Sequence, residues 1–195
     1  LGAAPTTEIA ARLSVATASV SGMVRRLADR GLLRHEPYRG VRLTRAGRTV
    51  ALRTIRRHRI IEAYLTRRLG YAWDTVHAEA ERLEHAASDE LIDRMAAALG
   101  EPTVDPHGAP IPTRDGEIDE IELVSLAELA PGESGRIVRV DDDDPALLRR
   151  LDALGIVLGS ELTVVATSPK DATLTVQLGS GGKLTEHVLD RATVA

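Results

Sequence analysis

Two short apolar-periodic segments separated by three residues, followed at once by a hairpin pattern, constrain this chain more than any other feature. Residues 7–13 carry Ile9, Ala10 and Leu13 at helical spacing, with Thr6 or Thr7 as cap. Ser14, Val15 and Ala16 break that pattern. Thr17 can cap a second helix reaching Arg30, with Val20, Val24 and Leu27 as its apolar stripe and Gly31 as a left-handed stop. Residues 32–36 and 41–44 then flank the turn Pro37-Tyr38-Arg39-Gly40. A helix-turn-helix followed by a hairpin with arginine at its tip is a DNA-binding arrangement. The second helix enters the major groove and the wing touches the backbone.

The charge distribution agrees. Residues 1–68 hold 15 arginines against Glu8, Asp29, Glu36 and Glu62, although the whole 195-residue chain has a formal net charge of −4. A basic first third on an otherwise acidic chain predicts a polyanion-binding module joined to something else. Cysteine is absent, which excludes disulfides, thiolate nucleophiles and sulfur-rich metal cages, so any metal must be held by imidazole and carboxylate. No run of 18 apolar residues and no secretory leader is visible, and a cytoplasmic location is expected, with no membrane partner.

Beyond the hairpin, Thr44 opens a long helix to about Leu69, with Val50, Ile55, Ile60, Ile61 and Leu65 as expected buried positions and Gly70 as its stop. Asp74 is placed as the cap of a helix to about Ala87, and Ser88 or Asp89 as the start of another that ends at Gly100. These helices are expected to form a dimer interface, because one winged helix reads only half of a two-fold operator. Residues 101–119 are rich in proline and glycine, including Pro102, Pro106, Gly108, Pro110 and Pro112, and read as ordered loop passing into linker. After it come a capping box at Ser125 and Glu128, a strand-like stretch over 135–140, and Pro145 in a first helical turn after Asp144. Strand-like segments over 161–167, 173–178 and 183–189 predict a small barrel of five or so strands. The expected fold is α+β and multidomain: a winged helix-turn-helix (1–50), a helical metal-binding and dimerisation domain with its linker (51–118) and a small SH3-like barrel (119–195).

Within the helix expected from Asp74 to about Ala87, His77, Glu81, Glu84 and His85 fall inside one arc of about 100° on a helical wheel. His58 and Glu62, four residues apart, project from one side of the long helix. Two such helices packed together could hold one or two divalent ions through nitrogen and oxygen, a donor set suited to Mn2+ or Fe2+ and tolerant of Zn2+ or Co2+. Spacing alone leaves a second reading open, in which these are ordinary exposed side chains and Glu81 pairs with Arg82 or a partner chain. The acidic run at 141–144 is equally open between a ligand source and a solvated turn in which Asp144 serves as a cap.

These motifs resemble the diphtheria toxin repressor family of iron- and manganese-dependent regulators. The resemblance runs from Thr7-Glu-Ile-Ala-Ala-Arg-Leu through the wing Tyr38-Arg39-Gly40-Val-Arg-Leu-Thr-Arg-Ala-Gly47, the stretch from Trp73 to His85, and Asp105-Pro-His-Gly-Ala-Pro-Ile-Pro112. Leu151-Asp-Ala-Leu-Gly-Ile-Val-Leu-Gly159 resembles the family's SH3-like domain, also seen in ferrous-transport protein A. The resemblance implies that Glu81, Glu84 and His85 belong to a primary activating site and His58, Glu62 and His77 to an ancillary one, with Asp144 the nearest match to a ligand from the SH3-like domain. Leu147 stands where a second such ligand is expected. Glu81 occupies a place that holds cysteine in the iron-sensing branch and glutamate in manganese-sensing relatives, so the hard carboxylate favours Mn2+. The family's first helix, which donates a primary-site ligand, has no counterpart before Leu1, and the expectation is that this sequence is a truncated form of a longer chain.

In the reading helix, the resemblance places base contacts at Ala16, Ala18 and Gly22, flanked by Thr17, Ser19 and Ser21. Gly22 replaces a longer amide side chain, so small residues are left to touch thymine methyls and let the backbone approach. Thr7, Ser19, Ser21, Arg26 and Arg39 are expected on phosphates of a palindromic double-stranded operator. The implied function is a dimeric metal-dependent repressor of metal-homeostasis genes, and not an enzyme. Two other readings are a metal-independent winged-helix regulator with a decayed site, and a metallohydrolase using His77, Glu81 and His85. The second lacks any accompanying general base or nucleophile motif.

Overall fold

The computed structural model describes residues 2–36, 38–119, 121–168, 170–180, 183–190 and 193. Pro37, which the sequence puts in the wing turn, lies outside the described residues. The chain divides into two compact units, Leu1–Arg56 with Pro112–Ile118, and Arg57–Ile111 with Asp119–Ala195.

The first unit contains α1 (Thr6–Arg12) and α2 (Thr17–Asp29), the antiparallel pair β1 (Leu33–Glu36) and β2 (Gly40–Leu43), and the start of α3 (Arg45–Leu69). Neither of the first two helices uses the threonine cap that the sequence suggests. Pro5 and Ala16 occupy the cap positions without side-chain hydrogen bonds, and Thr6 and Thr17 are already helical. Ser14 makes the tight turn between them at φ 51°, and Gly31 ends α2 at φ 71°. Thr44 does cap α3: its hydroxyl accepts from Gly47 N at 3.0 Å and donates to Gly31 O at 2.7 Å. Ala10, Val20, Val41 and Leu52 are buried, while Leu27 and Val50, expected to be covered, remain exposed.

In the second unit, α3 continues and α4 (Val76–Glu84) and α5 (Asp89–Ala98) pack on it. Their core is Ile60, Ile61, Leu65, Val76, Ala80, Ile92, Ala96 and Ile111. The cap of α4 is Thr75, one residue beyond Asp74, and Asp74 instead pairs with Arg149 at 3.3 Å. Ser88 caps α5 by accepting from Leu91 N, and Gly100 follows at φ 74°. Arginines of α3 satisfy carbonyls at the ends of the shorter helices. Arg57 donates to Glu84 O and Ala87 O, and Arg68 to Ala98 O.

The rest of this unit is a four-stranded antiparallel sheet in chain order, β3 (Ser134–Arg136), β4 (Glu161–Ser168), β5 (Thr173–Ser180) and β6 (Lys183–Asp190), with α6 (Pro145–Ala153) between β3 and β4. Among the described residues four strands stand where five or so were expected. The stretch 137–140 makes no ladder, and Ile137 and Val140 pack on the core instead. Inward residues alternate along the strands: Leu162 and Val164, then Leu174, Val176 and Leu178, then Leu189. They enclose Leu151 of α6 and Ile156, and Trp73 packs against the same core.

Candidate metal centre

Four segments of the second unit bring carboxylates and imidazoles together. On α3 the i,i+4 spacing of His58 and Glu62 puts both on one face, and on α4 His77 and Glu84 stand two turns apart on the side facing them. His58 Nε2 donates to Glu62 Oε1 at 3.0 Å, and Nδ1 donates to Glu84 Oε2 at 2.9 Å. His77 Nδ1 lies 3.2 Å from the same Glu62 oxygen and 3.2 Å from His58 Nε2. Ligand atoms of His58, Glu62 and His77 all lie within 4.8 Å of one another.

The third segment is the 105–109 loop. Asp105 Oδ1 accepts from His107 N at 2.8 Å and Ala109 N at 2.9 Å, which fixes the loop from inside. His107 Nε2 lies 2.7 Å from Trp73 O. A carbonyl can only accept, so Nε2 carries a proton and Nδ1 is the ring nitrogen left toward the carboxylates. Atoms of Glu62, Asp105 and His107 also lie within 4.8 Å of one another, and all three residues are essentially buried. Glu62, with no exposed surface, therefore belongs to both groups.

The fourth segment is the acidic run. Asp142 Oδ2 lies 3.4 Å from His77 Nδ1 and 3.6 Å from His107 Nδ1. Backbone contacts hold it there: Val140 N donates to His107 O at 2.9 Å, and Gly108 at φ 86° lets Val138 O approach so closely that a Cβ would meet it at 2.0 Å. Asp144, which the family resemblance puts at a ligand position, is instead the cap of α6, exposed and accepting from Ala146 N at 2.8 Å. Helix geometry explains the difference, because a residue bound to its own first turn cannot also reach His77.

Glu81 is not gathered with these residues, and His85 meets them only at Glu84. The helix ends at Glu84, so His85 falls at its C-cap with 81% of its side chain exposed, and Glu81 is exposed on the same helix. Glu84, expected beside them, places Oε2 2.9 Å from His58 Nδ1 and Oε1 3.6 Å from His85 Nε2, so it lies between the cluster and His85.

The electrostatics mark the cluster as a cation site. Burial alone lowers the pKa of His58, but hydrogen bonds and charges from Glu62 and Glu84 outweigh it and raise the group to about 9. Burial holds the Asp105 carboxyl above its ordinary range, against the pull of the Ala109 and His107 amides, and the Glu62 charge adds to the rise. Glu62 Oε2, Asp105 Oδ2 and His107 Nδ1 are buried with no hydrogen-bond partner, although Arg59 Nε stands 3.3 Å from Asp105 Oδ2. Two buried carboxylate oxygens and an imidazole nitrogen without hydrogen-bond partners, close to one another, fit a divalent cation.

The raised His58 value has a consequence for the metal-free protein. Its folded pKa exceeds the free imidazole's 6.5, so the stability it contributes is complete below about pH 6.5 and is lost as pH climbs through about 9. In chelator, urea unfolding of the wild-type chain loses about 3 kcal/mol between pH 6 and pH 9.5 relative to His58→Gln. Parallel pH profiles for the two proteins contradict the pairing.

Sequence reasoning names neither Asp105 nor His107 as a ligand and does not choose Asp142 within its acidic run. None lies on a periodic element: the 105–112 stretch reads as a family motif within a loop, and the run at 141–144 stays open between a ligand source and a solvated turn. The available signal was Asp and His two residues apart in a loop otherwise built of Pro, Gly and Ala.

The exposed surface of the first unit carries the expected DNA contacts. Thr7, Ala16, Thr17, Ala18, Ser19, Ser21, Arg26 and Arg39 are all exposed, and Gly22 is half-buried. Arg34 and Arg42 stand directly opposite each other in the hairpin, with Glu36 Oε1 3.6 Å from the first and 2.9 Å from the second. Tyr38 and Arg39 form the wing tip, Tyr38 fully exposed at φ 62°.

A winged helix-turn-helix on one unit and a buried carboxylate-imidazole cluster on the other define a metal-dependent DNA-binding regulator. Three family profiles match in order: the iron dependent repressor N-terminal DNA binding domain over residues 1–41, the iron dependent repressor metal binding and dimerisation domain over 44–113, and the FeoA domain over 124–192. The iron-dependent repressor IdeR of Mycobacterium leprae is 36% identical over 173 residues, covering 83% of this chain and 75% of that protein. The diphtheria toxin repressor of Corynebacterium diphtheriae is 32% identical over 196 residues, covering 94% and 84%. A solved manganese-dependent transcriptional repressor, in complex with manganese, superposes with a TM-score of 0.92 at 38% identity over 100% of this chain and 89% of that one. The chain belongs to the iron-dependent repressor family. No described helix is long and apolar enough to cross a membrane.

Proposed function

We propose that this chain is a cytoplasmic, homodimeric, manganese-activated transcriptional repressor of metal-homeostasis genes that binds a palindromic operator, with domains over 1–50, 51–118 and 119–195. The observation that carries the metal reading is the set of orphaned buried acceptors on Glu62, Asp105 and His107. His58, Glu62, His77 and Glu84 would hold one ion, and Glu62, Asp105, His107 and Asp142 a second that shares the Glu62 carboxylate. A bound divalent ion supplies the positive charge that compensates four converging carboxylates. An all nitrogen-and-oxygen donor set favours Mn2+, accepts Fe2+, and admits Zn2+ and Co2+ as surrogates. Glu81 and His85 stay available on the exposed side of α4 for the primary site that the family resemblance implies.

The chain's own residues supply the coupling. In the metal-free protein the His58 proton stands in for the cation between Glu62 and Glu84, and it must leave before the imidazole can act as a ligand. Loss of that proton and closure of the four segments on one centre fix α3, α4, the 105–109 loop and Asp142 against one another. The DNA-competent state is favoured by whatever extra affinity it has for the metal. Thr7, Ser19, Ser21 and Arg39 contact phosphates, and Ala16, Thr17, Ala18 and Gly22 face the base edges.

Recovery of sheared genomic DNA on immobilised protein tests the function. Discrete fragments retained in Mn2+ and released by chelator are expected, and identical retention with and without chelator overturns metal dependence. The ligand assignment is tested separately. Asp142→Asn is expected to weaken Mn2+ binding about tenfold, whereas Asp144→Ala leaves it unchanged and costs about 1 kcal/mol of stability through the lost cap. Isothermal titration and urea unfolding read both, and the reverse pattern would restore Asp144 as the ligand.

A further inference from the structure

The first two turns of α2 are poor in groups that can read a base. Between Thr17 and Val24 there is no Arg, Lys, Asn, Gln, Asp or Glu, so no side chain there can make two hydrogen bonds to one base edge. Of the hydroxyls, Ser21 Oγ donates its proton to Thr17 O at 3.0 Å. A wheel drawn from buried Val20 puts Ala18, Gly22 and Arg25 opposite the core, with Arg26 beside them. Helical side chains lean toward the N-terminus and cover the turn before their own Cα, so a long side chain at 26 lies over position 22. The structure has that arrangement: a Cβ on Gly22 would stand 3.9 Å from Arg26 Nη1, with no other neighbour inside 4 Å. Among the described residues Arg26 makes no ion pair or side-chain hydrogen bond, so its guanidinium is uncommitted.

We infer that Arg26, expected from the sequence on a phosphate, is the direct base reader of this protein, and that Gly22 is the gap that lets its guanidinium lie along the groove-facing surface. The chemistry it recognises is a guanine, through paired N–H donation to O6 and N7 in the major groove. Small Ala18 and Gly22 let the helix backbone sit deep enough for a side chain rooted in the third turn to reach the bases that the earlier turns face. This inference rests on the DNA-binding reading of α2.

The test is selection from a duplex library with 20 randomised base pairs, using the full chain in Mn2+, followed by affinities for single-base variants of the recovered sequence. The wild-type chain is expected to require guanine at one position of each half-site, with a tenfold to hundredfold loss on replacing it or on substituting 7-deazaguanine. Arg26→Gln and Gly22→Gln are expected to abolish that requirement while Arg25→Gln keeps it. Far-UV circular dichroism verifies that the variants are folded. If Arg26→Gln keeps the guanine requirement and instead weakens all duplexes equally with a shallower salt dependence, Arg26 is a phosphate contact and the inference fails. Recovery of no sequence above a protein-free control defeats the DNA-binding reading itself, whereas recovery without a guanine requirement defeats this inference alone.

Discussion

Glu62→Gln is expected to weaken Mn2+ binding by more than about a hundredfold and to abolish metal-dependent DNA binding. Loss of an outer-sphere partner costs a metal site about 10- to 100-fold, and Glu62 sits closer than that, with Oε1 toward His58 and His77, Oε2 buried without a hydrogen-bond partner, and Asp105 and His107 grouped with it. The amide keeps the shape and still accepts from His58, so the variant separates charge from packing. Trp73, the only tryptophan, stacks on His107 at 6.3 Å with 18° between the rings, and its fluorescence reports on the site. Undiminished quenching by Mn2+ in Glu62→Gln would remove Glu62 from the centre.

Gly108→Ala is expected to destabilise the second unit by more than about 3 kcal/mol and to weaken Mn2+ binding at least tenfold. A side chain there must be left-handed, and its Cβ would overlap Val138 O at 2.0 Å. The loop has no room to retreat, since His107 O already accepts from Val140 N. Forcing the two backbones apart moves His107 and Asp142 away from each other. Gly70→Ala is the matched control: φ is 73° but nothing lies within 4 Å, so it costs only about 1–2 kcal/mol of conformational strain and leaves metal binding intact. Equal behaviour of the two variants would show that close approach at Gly108 does not position the site.

Local patterns made most elements legible. The wing follows from two short apolar strands around a turn, α3 from its periodicity between Thr44 and Gly70, and α6 from Asp144 and Pro145. The errors came where a local rule had a competitor. Thr6 and Thr17 look like caps, but the helices begin at them, so the cap position moves one residue earlier. Asp74 lost its capping role to an ion pair with Arg149, which no local window contains. The helix expected to reach Ala87 stops at Glu84, and that leaves His85 at the exposed C-cap, in contact with Glu84 alone among the gathered residues.

The candidate site divides along the same line. His58, Glu62, His77 and Glu84 could be grouped because helical spacing puts each pair on one face. Asp105 and His107 reach the centre through a loop closed by its own side-chain-to-backbone hydrogen bonds, and Asp142 through a backbone contact between residues more than 30 apart. Those positions depend on tertiary docking, which periodicity does not encode. The choice between Asp142 and Asp144 illustrates it: two acids in one run, one spent on a helix end and the other turned toward two histidines.

The most direct measurement is fluorescence anisotropy of a labelled duplex, recovered by selection on the wild-type chain, titrated with protein in Mn2+ and again in chelator. Metal-activated repression predicts binding at least about a hundredfold tighter in Mn2+ for the wild type, and no difference between the two conditions for Glu62→Gln. Equal affinity of the wild-type chain in Mn2+ and in chelator would contradict it.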